Sequence, residues 1–347
     1  MNNSFHRAAR PLVACALAAS GTTVALNAHA ADGVQLYGLV GSYVGSIERS
    51  DTTPRTTVVG SGGLTTSWWG IRGSESLGDG DLKAIFQLEQ FFQPDTGGAG
   101  RSAADPGGFS RSGWVGLSGA FGQVTIGRHT SPYYVSMQMV NPFGSSVVFS
   151  PLVVQSYVAA FSNTVIGDTV WNNAVQYVAP TVGGLSTTVI YAPGEVAGNS
   201  SVYNAGLHLR YKTGPVNAVL SLQRNRTAAV APSTSQDAAL AGVAWDAGWA
   251  KLYASAQATD NTVTRIRSRT WQLGSSVPVT QAGAVLVSWA RTTIDNPVLQ
   301  VGQHDTAGLG YDHNLSRRTD IYATYLYDHI DGKRRGDSYA LGIRHTF

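Results

Sequence analysis

Apolar and polar side chains alternate in short runs from residue 34 to the last residue of the chain. Val34, Leu36, Gly38 and Val40 fall on one side of a two-residue period, and Gln35, Tyr37 and Leu39 on the other. Leu82, Ala84, Phe86 and Leu88 oppose Asp81, Lys83, Ile85, Gln87 and Glu89. Leu185, Thr187, Val189 and Tyr191 oppose Ser186, Thr188 and Ile190, and Ala205, Leu207, Leu209 and Tyr211 oppose Gly206, His208, Arg210 and Lys212. The chain ends on SYALGIRHTF, with Tyr339, Leu341, Ile343, His345 and Phe347 on one face. A period of two is the period of a β-strand.

Turn signals separate these runs and come in two lengths. Short ones include Leu77-Gly78-Asp79-Gly80, Val182-Gly183-Gly184, Thr213-Gly214-Pro215 and Asp246-Ala247-Gly248. Long ones fall at 48–63, 94–109, 131–169, 193–201, 226–236, 261–268, 293–303 and 331–337, and the two kinds alternate. The pattern predicts sixteen strands: 34–47, 64–75, 80–93, 110–118, 121–130, 170–180, 184–193, 202–213, 215–226, 236–247, 249–260, 268–277, 279–292, 304–314, 318–330 and 338–347. That leaves roughly 20 residues for each strand and its connection, which suits tilted membrane-crossing strands.

Composition changes the picture from a soluble β-protein to a membrane one. Charged residues make up 13% of the 347, about half the usual globular share. In a water-soluble sandwich the apolar faces would stack inward. Here the opposite faces carry too much charge to be stacked, and the apolar faces carry Tyr near strand ends. That is the pattern of a lipid-facing band with aromatic girdles. After residue 30 no stretch reaches 18 uninterrupted apolar residues, so a membrane crossing must be made by a closed barrel. The predicted fold class is all-β: an antiparallel transmembrane barrel of sixteen strands, with short periplasmic turns, long external loops and a lumen wide enough for water. In a closed barrel the last strand pairs with the first, which explains a chain that stops inside a strand at Phe347 with no polar tail.

The first 30 residues read as a secretory signal peptide, leaving one barrel domain over 31–347. MNNSFHRAAR is basic, the run after it is mostly apolar, and NAHA offers a small-residue cleavage site after Ala30 or Ala31. The single cysteine, Cys15, lies within it, so the exported chain forms no disulfides. Loss of Arg7 and Arg10 with this segment, which holds no acid, takes the formal charge from +3 to +1. Such a balance offers no field for nucleic acid.

The runs VQLYGLVGSYVGSI at 34–47, SWWGIRGSESLGDGDLKAIFQLE at 67–89, GWVGLSGAFGQVTIGR at 113–128, NNAVQYVAPTVGGL at 172–185, YDHNLSRRTDIYATY at 311–325 and the terminal GIRHTF resemble the general trimeric porins of Gram-negative outer membranes. The resemblance runs in order over almost the whole of 31–347. It implies passive passage of small hydrophilic solutes and ions, an outer-membrane location, a homotrimer embedded in outer-membrane lipid, and no cofactor. It also implies a third external loop folded into the lumen, where loop acids face a ladder of basic wall side chains. The terminal aromatic strand, ending at Phe347, is the family's signal to the outer-membrane assembly machinery.

Strand parity turns Arg72, Lys83 and Glu89 into the lumen, and the family places a ladder arginine where Arg111 stands. Arg128, just before the third loop, is a further basic candidate. A charge in a narrow, partly dry pore acts strongly on ions; on a wide wall the same arginine is merely solvated. The departures from the family weigh more. Trp68 and Val170 stand where it usually or often has Arg, and Leu39 where some members have a basic residue. From His129 to Gly167 there is no Asp, Glu, Lys or Arg. Asn141-Pro142-Phe143-Gly144 resembles the family's acidic loop tip with its acid replaced by an amide. The loop is too apolar for disorder and needs a surface to pack on, which the lumen supplies. The expectation is an eyelet short of transverse charge, lined by Trp68, Tyr133, Tyr134 and Phe143. The alternative is that Tyr and Phe only anchor the loop.

Rival functions are a substrate-specific channel for a small aromatic or amphipathic solute, a closed structural barrel, and a barrel enzyme built around Asp328-His329. Enzymatic barrels of that kind have fewer strands than sixteen, and no GxSxG elbow or phosphate loop occurs. His304 and His313, beside Asp305 and Asp312, lack metal-ligand spacing. The expectation is therefore a channel, with no enzymatic site and no metal.

Overall fold

The computed structural model describes residues 33–50, 54–102, 105, 107–158, 163–197, 202–227, 234–297 and 302–347; the signal-peptide segment lies outside them. The strands are β1 (Val34–Ile47), β2 (Thr56–Ser61), β3 (Trp68–Ser76), β4 (Lys83–Gln93), β5 (Gly98–Ala99), β6 (Ser112–Gly119), β7 (Gly122–Thr130), β8 (Val170–Val178) and β9 (Leu185–Pro193). There follow β10 (Tyr203–Thr213), β11 (Val216–Thr227), β12 (Thr234–Asp246), β13 (Lys251–Asn261), β14 (Arg267–Pro278), β15 (Gly283–Asp295), β16 (Gly302–Asn314), β17 (Thr319–Ile330) and β18 (Gly336–Thr346). Neighbours pair antiparallel in chain order, and β18 returns to β1 from Leu39↔Thr346 to Ser46↔Tyr339. Backbone bonds between Gly38 and Phe347, both 3.1 Å, finish the seam at the last residue.

These eighteen segments make a closed barrel of sixteen staves. β5 is a two-residue hairpin beside β4. β2 and β3 share one stave, because β2 pairs with Ser42–Ile47 and β3 with Val34–Leu39 of the same β1. The segment 48–63, expected to be loop throughout, therefore contains a strand. Between β2 and β3 the chain breaks away at Gly62 and Gly63, where φ is +79° and +88°. Both carbonyls are used there: Gly62 accepts from the Tyr322 hydroxyl at 2.9 Å and Gly63 from Ser146 at 2.6 Å.

The outward face is the apolar one. Leu36 is 61% exposed and Leu341 63%, as a wall solvated by acyl chains requires. Among the described residues no helix is long and apolar enough to cross a membrane; the crossing is made by strands. The buried core lies between the inner wall and the third external loop, residues 131–169. That loop contains α1 (Pro132–Met139), α2 (Pro151–Val153) and a π-helical turn, Val154–Val158. Pro132 and Pro151 start the two helices, where a missing N–H costs nothing.

Candidate pore constriction

The third loop is pinned across the inner wall mostly by uncharged polar side chains, with Arg49 donating to the Val148 carbonyl at 2.6 Å. Ser136 meets His208 Nδ1 at 2.6 Å, Ser131 donates to Gln223 at 3.2 Å, and Ser156 to Gln257 at 3.2 Å. Gln236 donates to the Thr164 carbonyl at 2.9 Å and accepts from the Ile166 amide at 3.0 Å. Gln155, on the π-helical turn, is fully buried. It donates to the carbonyls of Ala290 (3.0 Å) and His304 (2.8 Å) and to Thr306 (3.0 Å), and accepts from Thr292 (2.6 Å). Wall glycines let the loop approach: a Cβ at Gly308 or Gly310 would sit 3.1 Å from the Phe143 ring. A charge on this face would be buried without a partner, which accounts physically for an acid-free, base-free stretch from His129 to Gly167.

This packing separates the expected lining residues. Tyr133 is 1% exposed and packs with Met137, Leu152 and Leu240; Phe143 is 3% exposed and packs with Tyr43, Phe149 and Tyr322. Both face the wall rather than the water, so the anchoring alternative describes their placement. Asn141 is also buried. Its amide donates to the carbonyls of Met137 and Gly144, and its oxygen accepts from the Phe143 amide and Ser150, which makes it the organiser of the loop tip. Tyr134, Trp68 and Val170 do border open space, in a cavity of about 320 Å³ that also meets Phe91, Arg101, Arg111, Gln138, Tyr157 and Asp168. Burial pushes the Tyr134 and Tyr157 phenols well above their ordinary range, so they contribute dipoles and no charge.

The basic wall residues also separate by height. Arg111 lies over the Trp68 ring at 4.2 Å and is ion-paired to Glu89, which is 3% exposed. The Tyr37 hydroxyl donates to the other Glu89 oxygen at 2.6 Å. Arg72 stands opposite Gln87, two residues below Glu89, over Tyr37 at 4.5 Å and bonded to Gln35. Lys83 is six residues below Glu89 at the start of β4, about 20 Å away at 3.3 Å per residue. Register thus sets Arg72 below the eyelet and Lys83 at the periplasmic mouth, not in the constriction. Arg128 sits at a β-bulge in β7 and is spent on the Ser110 carbonyl and Asn172, with Asp168 at 4.0 Å.

Sequence reasoning missed the ion pair that faces Arg111. Arg101 in the second external loop forks onto Asp168 through two bonds of 2.7 Å and reaches Asp105 at 3.1 Å. Burial alone would raise the Asp168 carboxyl, but the Arg101 fork outweighs it and holds it below its ordinary range. The acid-free stretch ends one residue before Asp168, and the i,i+4 spacing of Arg101 and Asp105 was the signal available. Phe91 lies under both guanidiniums, 5.5 Å from Arg101 and 6.0 Å from Arg111.

Comparison with known proteins agrees with the barrel fold. The family model described as Gram-negative porin matches residues 14–333. The chain is 29% identical to outer membrane porin protein 32 of Delftia acidovorans over 97% of its own length and 99% of that protein's. It is 26% identical to the major outer membrane protein P.IB of Neisseria meningitidis, over 94% of this chain and 98% of that one. The solved structure of an anion-selective porin from Comamonas acidovorans superposes with a TM-score of 0.76 at 28% identity, covering 91% of this chain and 99% of that one.

Proposed function

The chain belongs to the Gram-negative porin family, a channel of the outer membrane, and from that membership we propose that its eyelet passes small hydrophilic solutes with weak ion selectivity. The observation that carries this reading is the pairing of eyelet arginines with carboxylates: Arg111 with Glu89, Arg101 with Asp168 and Asp105. Opposite charges a few ångströms apart cancel at the distance of a passing ion. The loop that completes the ring adds no charge from His129 to Gly167. The Comamonas structure is called anion-selective; the present chain, with a balanced ring, should show less of that preference. Reversal potentials across planar bilayers under a salt gradient test the reading, and a strong anion preference would overturn it.

A second reading rests on the aromatic character of the same cavity. Trp68, Phe91, Tyr134 and Tyr157 line it beside the two guanidiniums, so a planar amphipathic solute should dwell there and interrupt the current in a saturable way. In both readings the protein conducts and catalyses nothing, and residues 1–30 are the export signal, removed in the mature protein. Self-association into a trimer uses the outer wall of β1, β2, β17 and β18. There Val44, Val59, Leu341 and Ile343 line a groove of about 760 Å³.

A further inference from the structure

Outside the pore, a row of charge crosses the wall where strand parity alone would set lipid-facing side chains. Gln223 and Asn225 both bond inward to the third loop, so Arg224 between them projects outward. The same logic turns Asp237 outward beside Gln236, and turns Arg267 and Arg269 outward around Ser268, whose hydroxyl meets Thr259 inside at 2.6 Å. Register aligns Arg224, Asp237, Asp260 and Arg267 as one row over four strands. Arg224 bonds Asp237 at 2.5 Å and Arg267 bonds Asp260 at 3.0 Å. Arg226, one step above, lies 4.9 Å from the Tyr203 ring. Arg269, one step below, has no partner among the described residues. With Asp295 of β15 opposite Arg267 in the same row, four guanidiniums stand against three carboxylates on the outer surface.

Beneath the row runs a trough two strands wide. Ala239↔Ala258 and Ala241↔Ala256 form its floor, with Leu222 and Leu220 as one bank and Trp271 and Leu273 as the other. A cavity of about 900 Å³ opens onto its upper end, touching Ala239, Ala258, Arg224, Arg267 and Arg269. The row lies at the long-loop end of the strands, which is the external side. Charges on a barrel wall are tolerated near the interface and costly at the midplane. Guanidiniums at that height suit phosphate, which they bind in two-pronged, charge-assisted fashion.

We propose that this trough binds one outer-leaflet lipid whose headgroup carries a phosphate monoester with no cation of its own, the phosphate between Arg267 and Arg269 and an acyl chain along Ala258, Ala256 and Ala254. The two arginines stand two residues apart on one face of β14, about 7 Å, a span that one phosphate bridges. The unpaired Arg269 gives the lipid a charge to neutralise without breaking an existing ion pair.

Native mass spectrometry of the detergent-purified full chain tests this, with phosphatidic acid, phosphatidylcholine of the same acyl chains, and inorganic phosphate as competitor. Phosphatidic acid should form a one-to-one adduct that phosphatidylcholine does not, and inorganic phosphate at equal concentration should not displace it. The double substitution Arg267→Gln with Arg269→Gln should weaken the adduct roughly 30-fold. Ala256→Trp, which fills the trough and leaves both arginines in place, should weaken it roughly tenfold. Neither change should alter single-channel conductance, which also certifies that the barrels have folded. Equal binding of phosphatidylcholine, displacement by inorganic phosphate, or full binding by either folded variant would overturn the proposal.

Discussion

Replacing Asp168 by Asn releases Arg101 from its carboxylate and leaves Asp105 as its remaining acidic partner. The reversal potential of that variant should move toward anion preference, whereas Arg111→Gln, which strips Glu89 of its cation, should move it toward cations. The second change also leaves a buried carboxylate with Tyr37 as its remaining side-chain donor, and removing one partner of a buried pair costs about 3 kcal/mol; chemical unfolding in detergent reads that loss. For Asp168 the pH dependence has a definite sign. Folding lowers its pKa, so the contribution of the pair is full at neutral pH and is lost as the medium is acidified through the folded-state value. Asp168→Asn should therefore lower the unfolding midpoint at pH 7, and the difference from the parent should shrink as the pH falls below about 3.9, the ordinary value for Asp. Only part of this site was legible in the sequence. Trp68 and Glu89 lie on strands, where parity assigns each side chain to a face, and Arg111, just before β6, was legible from the family resemblance. Arg101 and Asp168 lie outside the strands, and only the folded backbone brings residues 67 positions apart into contact.

The strands themselves were legible for a simple reason. A wall between lipid and water repeats every two residues, and every stave of the barrel was found in that period. β2 escaped because Thr56–Ser61, TTVVGS, follows a polar loop and shares its stave with β3. The helices of the third loop escaped because α1 meets the wall of β10, β11 and β12 with side chains of mixed character, PYYVSMQM, which carry no helical stripe. The outward row of charge was hidden as well, since parity was used to send every charge into the lumen. Within the loop, Gln155 is the residue to change. Gln155→Leu keeps the bulk but removes bonds to Ala290, His304, Thr306 and Thr292, leaving polar groups of β15 and β16 buried without it. A loss of about 2 kcal/mol is expected. It should appear as flicker of the open-channel current, because the loop edge that borders the water would no longer be held still.

At the scale of the molecule, closure depends on the pairing of β18 with β1. Deleting residues 338–347 should leave two open edges in lipid, each with unpaired backbone groups. The shortened chain should fail to give the compact, heat-modifiable band of a folded barrel in electrophoresis. The third loop has a different consequence. It covers the inner wall of β10 to β16, so the charges lining the eyelet cavity, Arg101, Arg111 and Asp168, with Glu89 paired to Arg111, come from residues 89 to 168, and Arg344 of β18 reaches its edge at Thr65. The wall of β10 to β16 behind the loop is scaffold, screened from the current by that packing. Preference for one ion over another should therefore travel as a cassette: grafting residues 33–169 of an anion-preferring relative onto the remaining staves should transplant its discrimination, while the reciprocal graft should leave the recipient's behaviour as it was.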